Sequence, residues 1–459
     1  MTLWSRYKEQ YRKNLALSIP VVLAQLGQML TQLADTIMVG QYGGEDPLPL
    51  AAVSFGSSMA FLILIGCIGV ALGLTPLVGE RYVRGEHDEC RSLLNNAVIF
   101  YTLLGFAVGL AQYAAAPLLY YLGQPDEVVT GAIPYYRMLS FSIPFMLCFF
   151  GFKSFLEGAG NTKTVMTITI IANLLNDGFN YLLIFGHWGL PEMGAAGAGL
   201  ATTLSRVASA AMVIGYFLYH TKYREYLRGF RLRLPEGKRV RELLRIGLPI
   251  AGQMFLESSA FVGTAVMIGW LGTVALSANQ VAITLGNCAF MVILSIGSAA
   301  TIRISHCYGE RNHEELRLAT HATYHLVLLW SLFASLLFIL LRHDIPRLFT
   351  DNDEVIALTA DMMFFVAMYQ LWDGMQNVSV GILRGLQDVK IIMPIAFVAY
   401  WLINIPTGYL FGITAGMGPS GFFLSYSFGL GAAALLLMAR IRRDIHRLKG
   451  ENCKLKGER

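Results

Sequence analysis

The sequence predicts an all-α integral membrane protein, with twelve transmembrane helices forming two homologous six-helix lobes about a pseudo-two-fold axis along the membrane normal. Three observations carry this expectation. Of the 459 residues, 55% are hydrophobic and only 14% charged, with a mean hydropathy of +0.53, whereas an average soluble domain carries about 25% charged residues. Apolar runs long enough to cross a bilayer occur twelve times. The second half of the chain repeats the first.

A helix needs about 20 apolar residues to cross the hydrocarbon core. Such runs lie near 14–40, 50–77, 93–122, 130–157, 164–187, 195–219, 243–270, 275–303, 318–341, 355–383, 391–413 and 418–440. The first follows a basic leader (Arg6, Lys8, Arg12, Lys13) and is too long for a signal-peptide core, so it reads as a span. Turn clusters separate the runs: Tyr42 to Pro47, Gly123-Gln124-Pro125-Asp126, and Asp351-Asn352-Asp353. Glycine is abundant at 46 residues, which suits helices that approach backbone to backbone in lipid. Pro20, Pro144, Pro249, Pro394 and Pro406 fall within spans and predict bends.

The basic residues set an orientation. The N-terminus, the even-to-odd connections with the span ends beside them, and the C-terminal tail hold 31 of the 35 Lys and Arg. By the positive-inside rule both termini are expected in the cytoplasm of a bacterial-type inner membrane. The net charge of +5 is this bias, and it gives no support to nucleic-acid binding. The one long polar stretch inside the chain, near 220–245, falls at the midpoint. The expected layout is an N-terminal lobe at 1–219, a basic linker at 220–242, a C-terminal lobe at 243–445 and a basic tail at 446–459.

The repeat is visible as four matches in order. Ser18-Ile19-Pro20 lies 229 residues before Gly247-Leu248-Pro249, and Met38-Val39-Gly40 the same distance before Met267-Ile268-Gly269. Phe155-Leu156-Glu157-Gly158-Ala159-Gly160-Asn161-Thr162-Lys163 lies 227 before Ile382-Leu383-Arg384-Gly385-Leu386-Gln387-Asp388-Val389-Lys390. Met193-Gly194-Ala195-Ala196-Gly197 lies 224 before Met417-Gly418-Pro419-Ser420-Gly421. An even number of spans per copy gives both the same orientation, an arrangement common in transporters, whose sites lie between repeats near the midplane.

A charge in a helix centre costs about 2.5–3.5 kcal/mol on insertion scales and marks function by default. Four carboxylates fall well inside spans: Asp35, Asp177, Glu257 and Asp373. Glu257 in span 7 and Asp373 in span 10 reach similar depth, and no basic residue in either span offers an obvious partner. Two acids at one depth suit a shared cation. Tyr369 lies one turn before Asp373 and adds an oxygen on the same face. Asn176 and Asn180 share a face of span 5 and are candidates to line a polar cavity, with Gln280 early in span 8 a weaker one. Arg206 in span 6 is a candidate partner for Asp177.

Enzyme classes gain no support. The chain has no His-Glu-x-x-His, no Walker A loop and no Gly-x-Ser-x-Gly elbow, and its six cysteines show neither zinc nor redox spacing. No cofactor, disulfide framework or obligate protein partner is expected.

As a set, Gln32 to Gly40 closing span 1, Gly247-Leu248-Pro249 opening span 7, and the paired segments Leu156–Lys163 and Leu383–Lys390 resemble the MATE (multidrug and toxic compound extrusion) family, its NorM-like branch in particular. The resemblance implies a secondary active exporter of small cationic amphipathic compounds, driven by Na⁺ or H⁺. It implies a coupling-cation site at Glu257 and Asp373 with Tyr369 nearby, which would hold Na⁺ if the coupling is to sodium, and a role for Asp35 in span 1. The related DinF-like branch carries Asn and Asp four residues apart in span 5, where this chain has Asn176 and Asn180, with Asp177 out of register. The alternative from the same superfamily is a lipid-linked oligosaccharide flippase, whose anionic substrate would favour a basic cavity over these acids.

Overall fold

The computed structural model describes residues 3–43, 48–228, 230 and 233–457. Residues 44–47 of the turn expected after span 1, Arg231 of the linker and Arg459 of the tail lie outside them. Among the described residues the chain is almost entirely helical, without a strand. Twelve long helices match the expected spans: α1 (Leu3–Gly43), α2 (Leu48–Val83), α3 (His87–Leu122), α4 (Asp126–Gly158), α5 (Thr162–Phe185), α6 (Gly194–Tyr219), α7 (Gly237–Gly269), α8 (Thr273–Gly309), α9 (His313–Leu340), α10 (Asp353–Gly385), α11 (Ile392–Thr414) and α12 (Pro419–Gly457). Eleven are long and apolar enough to cross a membrane by composition alone. The remaining helix, α7, is 33 residues long, and Gln253, Glu257, Ser258 and Ser259 dilute its apolar stretch. The basic tail expected from 446 continues α12 as helix.

All five prolines expected to bend spans lie inside helices. In α11 the effect on the backbone is plain: Phe397–Asn404 and Leu410–Thr414 are π-helical on either side of the turn holding Pro406. Proline has no N–H to give to the carbonyl four residues back, so the helix widens around it.

The repeat extends to backbone conformation. Gly85 ends the turn into α3 at φ 73° and Gly160 the turn into α5 at φ 82°; their second-copy counterparts, Arg311 (φ 54°) and Gln387 (φ 60°), hold the same left-handed geometry without glycine. Two of the following helices, α5 and α9, start on asparagine caps. Asn161 accepts from Thr164 N at 3.3 Å and Asn312 from Glu315 N at 3.1 Å.

The chain forms two compact units, residues 1–22 with 252–459 and residues 23–251. Their boundaries therefore fall inside α1 and α7 and not in the linker. Packing explains each assignment. In the unit of residues 23–251, a methyl group on Gly247 of α7 would strike the Val70 backbone of α2, and one on Gly69 would strike Ala251, so backbones touch there. The start of α7 is tied by charge as well. Arg239 donates to Glu89 at 2.7 Å and to Glu242 at 3.2 Å, and Glu242 also pairs with Arg81.

In the other unit the start of α1 is held the same way. Glu315 accepts from Gln10 at 3.2 Å, Lys13 at 3.0 Å and Arg303 at 2.9 Å. Asn14 donates to Thr323 at 2.9 Å, and the Tyr11 hydroxyl lies 2.9 Å from His325 Nδ1. His87-Asp88-Glu89 and His313-Glu314-Glu315 are repeat counterparts. The same glutamate of each copy thus grips the start of a first helix.

Within residues 252–459, α8 and α10 pack with glycines in contact: a methyl on Gly381 would fall on the Gly297 carbonyl, and one on Gly385 would lie 2.8 Å from Thr301 O. Farther along α8 and α10 lies an apolar core that includes Met362, Val366, Phe422, Phe423 and Leu430. The tyrosines Tyr369, Tyr400 and Tyr426 are set into the same core.

Candidate functional site

Each unit sets a cluster of acids and amides among its membrane helices. In residues 252–459 the centre is Glu257 of α7. Gln253, one helical turn before it, donates Nε2–H to Glu257 Oε2 at 2.5 Å, and the Tyr400 hydroxyl donates to Oε1 at 2.9 Å. The widened π-helical stretch Phe397–Asn404 carries Tyr400. Gln253 in turn accepts from Arg384 near the end of α10 at 2.9 Å. Both Glu257 oxygens therefore face donors, the pattern of an ionised carboxylate.

Asp373 of α10 is 6% exposed and lies within electrostatic reach of Glu257. Tyr369, one turn earlier, is 7% exposed and within electrostatic reach of Asp373. Aromatic rings wall this region: Tyr369 and Tyr426 sit edge to face at 5.6 Å, Phe423 and Tyr426 at 5.6 Å, and Phe261 stacks on Tyr426 at 4.7 Å. Glu257, Asp373 and Tyr369 therefore lie in one region of this unit.

The expectation that no basic residue of spans 7 and 10 stands near is corrected. Arg384 is part of α10, and a span drawn to 383 left it in the loop by one residue. Gln253 and Tyr400 were also missed. The spacing of Gln253 to Glu257, one turn on the same face, was a usable signal; Tyr400 lies 143 residues away and gave none.

In residues 23–251 the cluster forms on α1 and α5. Asn180, fully buried, donates to Asp35 Oδ1 and lies 3.4 Å from Asn176 Oδ1. With its amide turned, Asn176 also donates to Asp35 at 3.2 Å and accepts from Thr202 N at 3.2 Å, which satisfies both its ends. Asp177 faces Thr31 and is within electrostatic reach of Asp35. Thus Asp35, Asn176 and Asn180 meet in one site with Asp177 at its edge. Arg206 does not pair with Asp177; it donates to Ser142 Oγ at 2.6 Å, because α6 turns that side chain toward α4. Gln280 is exposed on α8 and joins neither cluster.

The donor sets decide what each cluster can hold. Among the described residues no three of His, Cys, Asp and Glu gather as a metal cage. Two carboxylates with phenol and amide oxygens suit a singly charged hard cation, a proton or an organic cation held against aromatic faces.

Twelve membrane helices built by parallel duplication, with carboxylates set among the helices of each unit, define a multi-pass membrane transporter. The MatE family model matches the chain twice, at residues 20–182 and 249–410, and the chain belongs to that family. The two matches coincide with the two copies of the internal repeat. The chain is 32% identical over 440 residues to the multidrug resistance protein NorM of Photobacterium profundum, covering 95% of this chain and 96% of that one. It is 30% identical over 450 residues to the NorM protein of Vibrio vulnificus strain YJ016, covering 97% and 98%. Among solved structures, an outward-facing multidrug resistance MATE family transporter of the MOP superfamily superposes with a TM-score of 0.87 at 21% identity, covering 96% of this chain and 97% of that one. Family membership makes the chain a transporter and not an enzyme.

Proposed function

We propose that this chain is a secondary active multidrug exporter of the inner membrane, with both termini cytoplasmic, which exchanges small cationic amphipathic compounds for inward Na⁺ or H⁺. The observation that carries this reading is Asp373 within electrostatic reach of a Glu257 carboxylate held by Gln253 and Tyr400, beside the aromatic rings of Tyr369, Tyr426 and Phe261. An uncompensated carboxylate in a low-dielectric interior attracts any monovalent cation that reaches it. Coupling ion and drug therefore compete for the same charge, and competition for one site is sufficient for exchange. Glu257 and Asp373 take the coupling cation or the drug cation in turn, with Tyr369 beside them, and Na⁺ would be held by these oxygens in a sodium-coupled protein. Asp35, with Asn176 and Asn180, is a second place at which a drug cation is held.

The relatives named for multidrug resistance support this reading. Its test is efflux of a fluorescent organic cation from proteoliposomes under a Na⁺ or a pH gradient imposed separately. Efflux driven by one gradient and abolished in Asp373→Asn is expected. Equal efflux without any gradient, or no response to either from folded protein, would sink the exporter in favour of the lipid-linked oligosaccharide flippase.

A further inference from the structure

Arg384 is a basic side chain at the inner end of a membrane helix, and it makes no direct ion pair among the described residues. Its guanidinium donates to Gln253 Oε1 at 2.9 Å, its buried Nε has no partner, and it lies within electrostatic reach of Glu257. A guanidinium is charged at any physiological pH. Taken out of water, that charge needs an opposite one nearby. The carboxylate it faces is Glu257, with Gln253 between them. The amide has one orientation that serves both neighbours: Oε1 toward the guanidinium and Nε2–H toward the carboxylate.

The internal repeat shows that these groups belong together. At the 229-residue offset Gln253 and Glu257 fall on Ala24 and Gln28 of the first copy. At the 227-residue offset Asp373 falls on Met146 and Arg384 on Glu157. The first copy has neither carboxylate nor the arginine. Its Glu157 instead faces Lys153 at 3.9 Å on its own helix. The second copy carries both acids, the linking amide and the arginine as one set. Arg384 shares α10 with Asp373, three turns earlier, and reaches Glu257 of α7 through Gln253.

We infer that Arg384 is the built-in counter-cation of this site: held through Gln253 against Glu257, it cancels one of two carboxylate charges and leaves room for one monovalent cation at a time. The inference rests on the proposed coupling role of Glu257 and Asp373. Glu257 is engaged at both oxygens, whereas no hydrogen bond engages the Asp373 carboxylate among the described residues. Arg384 is thus a positioning residue acting on Glu257, and Asp373 is the carboxylate that changes partners. The empty site carries one net negative charge. One Na⁺, one proton or one monocationic drug neutralises it, and a second is refused, because each extra buried charge would stand uncompensated.

The test is equilibrium binding of ethidium to purified full-length protein, with displacement by NaCl and by acid measured on the same samples. For the wild type, displacement should be complete. Glu257→Gln brings the site to zero net charge and should weaken ethidium binding at least about tenfold, the loss expected for one uncompensated buried interaction. Glu257→Gln combined with Arg384→Gln restores one negative charge and should recover binding to within about threefold of the wild type, a change under 1 kcal/mol. Arg384→Gln alone leaves two negative charges, so ethidium should remain bound when the coupling cation saturates. Arg384→Lys should keep complete displacement.

A double variant that binds no better than Glu257→Gln overturns the inference, and this comparison stands even where Arg384→Gln fails to fold. Complete displacement in a folded Arg384→Gln protein overturns it as well. If Glu257→Gln and Asp373→Asn each bind and release ethidium like the wild type, the coupling site itself has been misplaced. That outcome is distinct from a failure of the charge balance alone.

Discussion

The Tyr400 hydroxyl donates to Glu257 Oε1 at 2.9 Å across 143 residues of chain. It joins the π-helical stretch of α11 to the carboxylate of α7. A hydrogen bond to a charged group contributes about 1.5–3 kcal/mol. Tyr400→Phe keeps the ring and removes only the donor, so transport efficiency should fall at least about tenfold in gradient-driven efflux, while thermal stability in detergent changes little. Unchanged efflux would remove Tyr400 from the site.

Asp35 and Asn180 give a prediction for the other unit. Asn180→Leu strips a donor from a partly buried carboxylate, and Asp35→Asn removes the charge while keeping the shape. Both should raise the half-saturating concentration of a cationic drug by about tenfold, as expected for a lost charge-assisted bond. The half-saturating Na⁺ or H⁺ should stay where it is. A matched shift in the coupling ion would place Asp35 in the coupling machinery instead.

Glu315 and Glu314 separate a buried grip from a surface pair. Arg303 is 8% exposed and its carboxylate partner is Glu315. Glu315→Ala should cost about 3 kcal/mol, because it strands a buried guanidinium. Arg6→Ala should cost less than about 1 kcal/mol, because its partner Glu314 is largely exposed. Thermal unfolding of the two variants in the same detergent checks the contrast, and equal costs would mean that the grip on α1 does not depend on Arg303.

The left-handed turn residues offer a stabilising change. Arg311 holds φ 54° where its first-copy counterpart is Gly85 at φ 73°. A non-glycine residue costs about 1–2 kcal/mol in that conformation. Arg311→Gly should therefore raise stability by about 0.5–1 kcal/mol, part of the gain being lost to the greater freedom of glycine when unfolded. A lower melting temperature would show that the Arg311 side chain makes up for the strain.

The sequence made most of this architecture legible because hydropathy and repetition are local signals. Twelve apolar runs and four repeat matches needed no knowledge of which helices touch. The acids stood out for the same reason, since a carboxylate inside an apolar run is anomalous wherever its partner lies. Their neighbours were harder to see. Tyr400 looks like any aromatic residue of a membrane helix until α11 is placed beside α7. Arg384 sits one residue beyond a span end drawn from hydropathy, so the charge that matters most to Glu257 was assigned to a loop. The pairing of Arg206 with Asp177 failed because two opposite charges in neighbouring spans say nothing about the direction in which each helix face points. Nor could the sequence show that the compact units divide inside α1 and α7, since that depends on which helices Glu89 and Glu315 grip.

The most direct measurement is cation uptake driven by drug. Proteoliposomes loaded with a monocationic drug are diluted into drug-free buffer, and entry of radioactive Na⁺ or of protons is followed with the membrane voltage clamped by potassium and valinomycin. One coupling cation should enter for each drug molecule that leaves, at a ratio that does not change with voltage, and entry should vanish in Asp373→Asn. A net charge moved per cycle would respond to voltage by about 2.3 kcal/mol per 100 mV. Drug loss without cation entry, or entry undiminished in Asp373→Asn, would contradict exchange at Glu257 and Asp373.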